Sequence, residues 1–340
     1  MTTNPPSRHE QALKICVVGP GAIGATLAYR LATPGRRVSV VARGAHLSAI
    51  RHQGLRLVDA TRESTLAPKW LAASDSPADL GPQDIVFIAL KSYDVGAVLP
   101  RLTVLLHDAT VVVPVVNGVP WWYFHELRGP CRDWQLKSLD PHQRMFHDLD
   151  PRRIVGCVAH IAAQAKAPGL IEHTNGSRFI VGELDGTYSP RLALVANIMA
   201  DAGFTMDVVN DIRREIWWKL LGNMSFNPLA ALHRKLIHEI SDDEDLCAIV
   251  RPVMLEGMAI CAALGVHITG TPDERIAVAC HLRGAKISMH QDVEAGRRLE
   301  LDSITKAPIE IADRLGVLVP ALRKLDADIT RLAVSLGLHP

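Results

Sequence analysis

The sequence predicts an α/β protein: an N-terminal Rossmann-type doubly wound parallel sheet followed by an all-α C-terminal domain. Three observations carry that prediction. Short apolar, β-branched runs alternate with helix-spaced segments as far as Val209. A glycine cluster sits where the first run meets the first helical pattern. From Asp211 onward, long 3.6-residue periodicity replaces strands.

Taken in order, Lys14–Val18 is the first strand, and Ala22–Ala32 is a helix ending before Pro34-Gly35. Val38–Ala42, Asp84–Leu90 and Thr110–Val116 are the next three strands. Ile154–Ala163, Gly169–His173 and Arg178–Gly182 follow, the last two separated by Asn175-Gly176, a hairpin turn signal. Ser189–Ala202 is a helix and Thr205–Val209 the final strand. The helical patterns then run Ile212–Leu232, Leu246–Leu264, Asp273–Gly284, Val293–Leu315 and Pro320–Leu336. Pro120 to Pro151 is rich in Trp, His, Pro and Arg with weak periodicity, which reads as a long structured loop.

At 340 residues the chain exceeds one comfortable core. The expected division is a flexible leader at 1–13, a dinucleotide-binding domain at 14–209 with an insertion at 119–150, and a helical substrate domain at 210–340. Lys plus Arg (37) against Asp plus Glu (36) leave a net charge of +1, so no field draws in nucleic acid or an anionic membrane. The longest apolar runs, such as Ile85–Leu90 and Val111–Val116, are strand-sized and far short of a membrane span. Six cysteines without C-x-x-C spacing fit buried thiols of a reducing compartment, so the expected location is cytoplasmic. The histidines show no metal-ligand spacing, and no metal is expected.

Gly19-Pro20-Gly21-Ala22-Ile23-Gly24 matches G-x-G-x-x-G between a strand and a helix. Gly19 serves the tight turn, Gly21 the approach of a pyrophosphate to the backbone, and Gly24 the close packing of helix on sheet. At the end of the second strand, Val40-Val41-Ala42-Arg43 has no acid for a ribose 2′-hydroxyl. Arg43 suits a 2′-phosphate, which favours NADPH; the bland alternative is a solvated arginine. Lys91 and Asn117-Gly118 follow two further strand ends and point at the same crevice. Lys91 would add positive charge near the adenosine phosphate and Asn117 a hydrogen bond near the nicotinamide, although Asn-Gly alone is commonly just a turn.

In Glu215–Pro228 the polar residues Lys219, Asn223 and Asn227 stand four apart in an apolar run and share a helix face. A lysine flanked by Trp218 and Leu220 would be partly desolvated, hence lowered in pKa and able to donate a proton near neutrality. Pro228 disfavours helical geometry at Asn227, so a bend there could turn the amide toward a pocket. The competing reading is a lysine snorkelling to solvent beside two amides that cap a kink.

These segments, together with Ala89-Leu90-Lys91, Ser288-Met289-His290-Gln291-Asp292 and Leu299-Glu300-Leu301-Asp302, resemble the ketopantoate reductase (2-dehydropantoate 2-reductase) family over Lys14–Pro320. The resemblance implies NADPH-dependent reduction of 2-dehydropantoate to (R)-pantoate in pantothenate biosynthesis. It places the proton donor at Lys219 and substrate contacts at Asn223, Asn227 and Ser288. It places cofactor contacts at Glu300, at Ala162 beside the nicotinamide, and at Asn117, which would touch both cofactor and substrate. A homodimer is a family-level expectation.

Three departures bear on the substrate. A further family asparagine is replaced near Ile237-His238, Ile304 is followed by Thr305-Lys306 rather than Asn-Gly, and Trp121-Trp122-Tyr123-Phe124 opens a longer insertion directly after Asn117-Gly118. An aromatic insertion there could shape the pocket for a bulkier 2-oxo or 3-hydroxy acid. A non-catalytic NADPH-binding regulator is a third reading, weakened by the presence of Lys219, Asn223 and Asn227. The absence of Tyr-x-x-x-Lys argues against a short-chain dehydrogenase.

Overall fold

The computed structural model describes residues 13–33, 36–59, 62–284 and 286–339, so the expected leader lies outside the described residues except for Leu13. The chain begins with β1 (Ile15–Val18), α1 (Ala22–Leu31), β2 (Val38–Val41) and α2 (Gly44–Gln53). It continues with β3 (Leu55–Val58), β4 (Glu63–Leu66), β5 (Leu71–Ser74), β6 (Ile85–Ile88), α3 (Ser92–Leu102) and β7 (Val111–Pro114). The main sheet runs β5-β2-β1-β6-β7 with every pair parallel. Its central strands are apolar on both faces and fully buried, as strands covered by helices on each side must be. Connections reverse direction beside β1, where β2 lies to one side and β6 to the other, which opens a crevice at the strands' carboxyl ends.

After α4 (Met145–Asp148) come β8 (Val155–Ala167), β9 (Leu170–Glu183), α5 (Pro190–Asp201) and β10 (Thr205–Val208). They build a second, mixed sheet of order β10-β9-β3-β4 with β8 on β9. A parallel bridge from Val112 to Ile154 ties the start of β8 to β7.

Three expectations change here. Asn175-Gly176 is not a hairpin turn: β9 runs straight through it, and Gly176 (φ +71°) sits in an irregularity of the β8–β9 pairing between His160 and Ala162. The hairpin turns instead at Pro168-Gly169, between the paired residues Ala167 and Leu170, with Gly169 at φ +75°. Val293–Leu315 is not one helix. Gly296 (φ +61°) follows the end of a short helix, and a π-helical turn at Asp302–Lys306 precedes the next one. Pro308 has no N–H to give the carbonyl four residues back, and the Ala307 N–H bonds Asp302 O, five residues back.

The C-terminal region is helical: α6 (Ile212–His233), α7 (Ile237–Ser241), α8 (Glu244–Ala263), α9 (Pro272–Cys280), α10 (Ser288–Glu294), α11 (Ala307–Leu315) and α12 (Pro320–Ser335). Here α6 is the axis, contacted by α8, α10 and α12. It passes through Pro228 without ending. By length and composition α8 could cross a membrane, a feature not foreseen from the apolar runs. Its buried stripe of Val250, Val253, Met254, Gly257, Ile260 and Cys261 belongs to the core cluster that includes α6.

The insertion after Gly118 is irregular but not loose. Trp121, Trp122, Tyr123 and Phe124 are all buried, and Tyr123 Oη accepts a hydrogen bond of 2.8 Å from Trp217 Nε1 of α6. Arg213 of α6 donates to the carbonyls of Tyr123, His125 and Leu184. One apolar cluster thus runs from the face of β1 and β6 through the insertion to α6.

Candidate active site

Two constructions meet at the carboxyl ends of β1, β6 and β7. The first is the glycine turn. Gly19 takes φ +83°, its N–H bonds Val41 O at 3.1 Å, and the Ala25 N–H bonds Gly21 O at 2.8 Å as α1 begins. A Cβ at Gly24 would fall 2.3 Å from Gly19 O, and one at Gly19 would fall 2.4 Å from Leu90 Cδ2, so both positions require glycine. Above Gly21 the space is open: a Cβ there would have nothing within 4 Å. Pro20, Ala22 and Ile23 complete the turn over the first turn of α1, whose free N–H groups face that opening. Arg43 stands exposed just before α2, its guanidinium without a hydrogen bond or ion pair to another described residue.

The second construction surrounds Lys219. Helix α6 carries its ammonium to the start of the crevice, where Nζ donates to Asn117 Oδ1 at 2.8 Å and to Ala159 O of β8 at 2.7 Å. Burial pushes the Lys219 ammonium down to about 8; Cys157 and Glu300 oppose that shift and Arg275 adds to it. Lys219 lines a cleft with Asn117, Asn223, Trp122, Val158 and Ile216. Its third N–H has no acceptor among the described residues. The snorkelling alternative fails on this geometry. Asn227, one turn beyond Asn223, is buried, and Ser288 is the half-buried first residue of α10. Ala162 lies half-buried on β8, three residues beyond Ala159, and its carbonyl accepts from Thr174 Oγ1.

Lys91 and Glu300 depart from expectation. Lys91 Nζ donates to Asp292 at 2.6 Å and to Glu300 at 2.9 Å, and both carboxylates are 4% exposed. Burial alone would lower this ammonium, but the two adjacent carboxylates and their hydrogen bonds outweigh burial and hold it above the ordinary lysine value. Its charge is thus consumed by the helical region and not left free for an adenosine phosphate. Glu300 also accepts the Ser92 N–H at 3.0 Å, which makes it a buried link between the α3 corner and the helices. Asp292, also held by Arg297 at 2.9 Å, was given no role by the sequence. Some 200 residues separate it from Lys91, and no periodicity signals such a pair. The Val119 N–H bonds Ser303 O at 2.9 Å, so the Asn117-Gly118 corner rests on the π turn.

Of the aromatic insertion, only Trp122 reaches the Lys219 cleft, while Trp121 borders a smaller neighbouring one. Among the described residues no group of three or more His, Cys, Asp or Glu is placed to hold a metal ion.

Comparison with known proteins gives one picture. Residues 15–186 match the family model described as ketopantoate reductase PanE/ApbA, and residues 211–329 match its C-terminal model. A 2-dehydropantoate 2-reductase of Mesorhizobium japonicum is 42% identical over 328 residues, covering 96% of this chain and 100% of that protein. The crystal structure of a candidate ketopantoate reductase from Ralstonia solanacearum superposes with a TM-score of 0.91 at 37% identity, covering 97% and 100% of the two chains. A D-mandelate dehydrogenase solved with NADH and anilino(oxo)acetate shares the fold, with a TM-score of 0.81 at 18% identity, over 96% of this chain and 100% of that one.

Proposed function

The chain belongs to the ketopantoate reductase family, and from that premise we propose that it reduces 2-dehydropantoate to (R)-pantoate with NADPH, a step of pantothenate biosynthesis. It is an oxidoreductase acting on a C=O/CH–OH pair of a small oxo acid, and its family uses a nicotinamide cofactor.

A dinucleotide suits the residues present. The open space over Gly21 and the N-terminus of α1 would take the pyrophosphate, and the unengaged Arg43 guanidinium would take a 2′-phosphate, which supports NADPH over NADH. Asn117 and Ala162 would flank the nicotinamide, with Glu300 acting from the adjoining α3 corner. When bound, the cofactor supplies the hydride that reduces the ketone carbon.

The observation that carries the reading is Lys219, fixed by Asn117 and Ala159 at the wall of the cleft and lowered to about 8 by burial. Such a group is charged at neutral pH yet gives up its proton readily, which is what a developing alkoxide needs. After transfer the neutral amine is stable in its dry site and regains a proton from solvent. Asn223, Asn227 and Ser288 would hold the substrate's polar ends. The bulkier-acid reading rests on Trp122 alone, which lines the Lys219 cleft, because Tyr123 and Phe124 serve the core. The test is NADPH oxidation with 2-dehydropantoate by the wild type and Lys219→Ala: turnover is expected from the first alone, with NADPH affinity retained by both.

A further inference from the structure

Two arginines are largely buried beside α6, and the fold treats them differently. Arg213 is fully engaged, its Nε, Nη1 and Nη2 each donating to a carbonyl. Arg275, on α9, makes one long hydrogen bond, Nε to Trp218 O at 3.4 Å. Its Nη1 is buried without a partner, and no carboxylate among the described residues pairs with it. A buried guanidinium lacking a counter-charge is costly in an empty site and is compensated when an anion binds.

Its position says which anion. Arg275 Nη2 lies against Gly222, where a Cβ would fall 2.1 Å away, so the guanidinium occupies space that only glycine leaves open on α6, one turn beyond Trp218 and three residues beyond Lys219. Arg275 and Lys219 repel each other across this helix face, and Arg275 also disfavours charge on His160, which burial first of all keeps neutral down to about pH 3. Arg275 is thus a second cation near Lys219, the proposed proton donor, and neither is paired with a carboxylate among the described residues. In a 2-oxo acid the carboxylate is bonded directly to the carbonyl carbon, so an oxygen received at Lys219 brings an anionic group within a few ångströms.

We propose that Arg275 is a carboxylate-binding residue of the substrate site, an inference that rests on the 2-oxo acid reading. The carboxylate is either the one beside the reacting ketone or a second one at the far end of the acid.

The test uses the NADPH-loaded protein, with Arg275→Gln, Arg275→Lys and Gly222→Ala, the last displacing the guanidinium without removing it. Oxamate, an unreactive anionic mimic of a 2-oxo acid, is titrated calorimetrically, and KM and kcat are measured for 2-dehydropantoate and 2-oxoglutarate. Arg275→Gln is expected to raise KM for 2-dehydropantoate roughly 10- to 100-fold, as loss of a charge-assisted pair does. It should weaken oxamate to match and change kcat by less than about threefold; Arg275→Lys should recover part of the loss and Gly222→Ala reproduce it. The melting temperature without substrate should hold or rise, because a strained buried charge is gone, whereas a structural arginine would lower it. An increase confined to 2-oxoglutarate assigns the contact to the far carboxylate and supports the proposal. Unchanged KM for both acids, or a lower melting temperature with oxamate affinity intact, overturns it. Arg275-dependent oxamate binding in a protein that turns over no 2-oxo acid would refute the proposed function and leave this inference standing.

Discussion

Lys219 is where the proposed chemistry concentrates. As a general acid it must be protonated for reduction, and its ammonium is held down to about 8. In the free enzyme, kcat/KM for reduction should be level below that value and fall tenfold per pH unit above it, while oxidation of the product rises over the same range. A profile flat from pH 7 to 10 would remove Lys219 as proton donor. Lys91 has the opposite sign. Its folded-state pKa is raised, so its stabilisation is complete below the ordinary value of 10.5 and is lost only at more alkaline pH. Lys91→Met at pH 7 should leave Asp292 and Glu300 buried without a cation and cost about 3–5 kcal/mol; thermal or urea unfolding measures it. The residues facing the cleft along α6 were legible in the sequence because four-residue spacing on a helix is a local signal. The Lys91–Asp292–Glu300 group was not, since it arises only when the α3 corner meets α10.

At the scale of elements, the glycine turn was readable because each glycine answers a local steric demand. Gly24→Ala should push α1 off Gly19 O and weaken NADPH binding at least tenfold by fluorescence titration; unchanged affinity would mean that the turn does not hold the cofactor. The insertion was read as pocket-shaping, yet it is mostly core. Aromatic residues beside a glycine corner look alike in sequence whether they face a ligand or a neighbouring helix, and Trp217 decided the matter from α6. Tyr123→Phe should leave the buried Trp217 N–H unpaired and cost about 1–3 kcal/mol with substrate preference unchanged. Strands β3, β4 and β5 escaped notice because Arg56, Glu63 and the pair Ala72-Ala73 blunt their apolar pattern; pairing of β3 with β9 and β4, and of β5 with β2, makes them strands.

For the whole molecule, the sequence's alternation of strands with helices was enough to predict a parallel sheet followed by helices. The way the two regions close on each other was not, because it depends on contacts such as Val119 with Ser303, Tyr123 with Trp217 and Lys91 with Asp292. Those contacts set Asn117 beside Lys219, at the edge of the crevice where the proposed function needs a proton donor. The most direct measurement is steady-state NADPH oxidation by the purified protein with 2-dehydropantoate, run beside Lys219→Ala. The account predicts a wild-type kcat/KM of about 10⁴ M⁻¹s⁻¹ or more and a loss of about 10²–10⁴ in the variant, with NADPH affinity unchanged. Tight NADPH binding without turnover in the wild type, or near-normal turnover in Lys219→Ala, would contradict it.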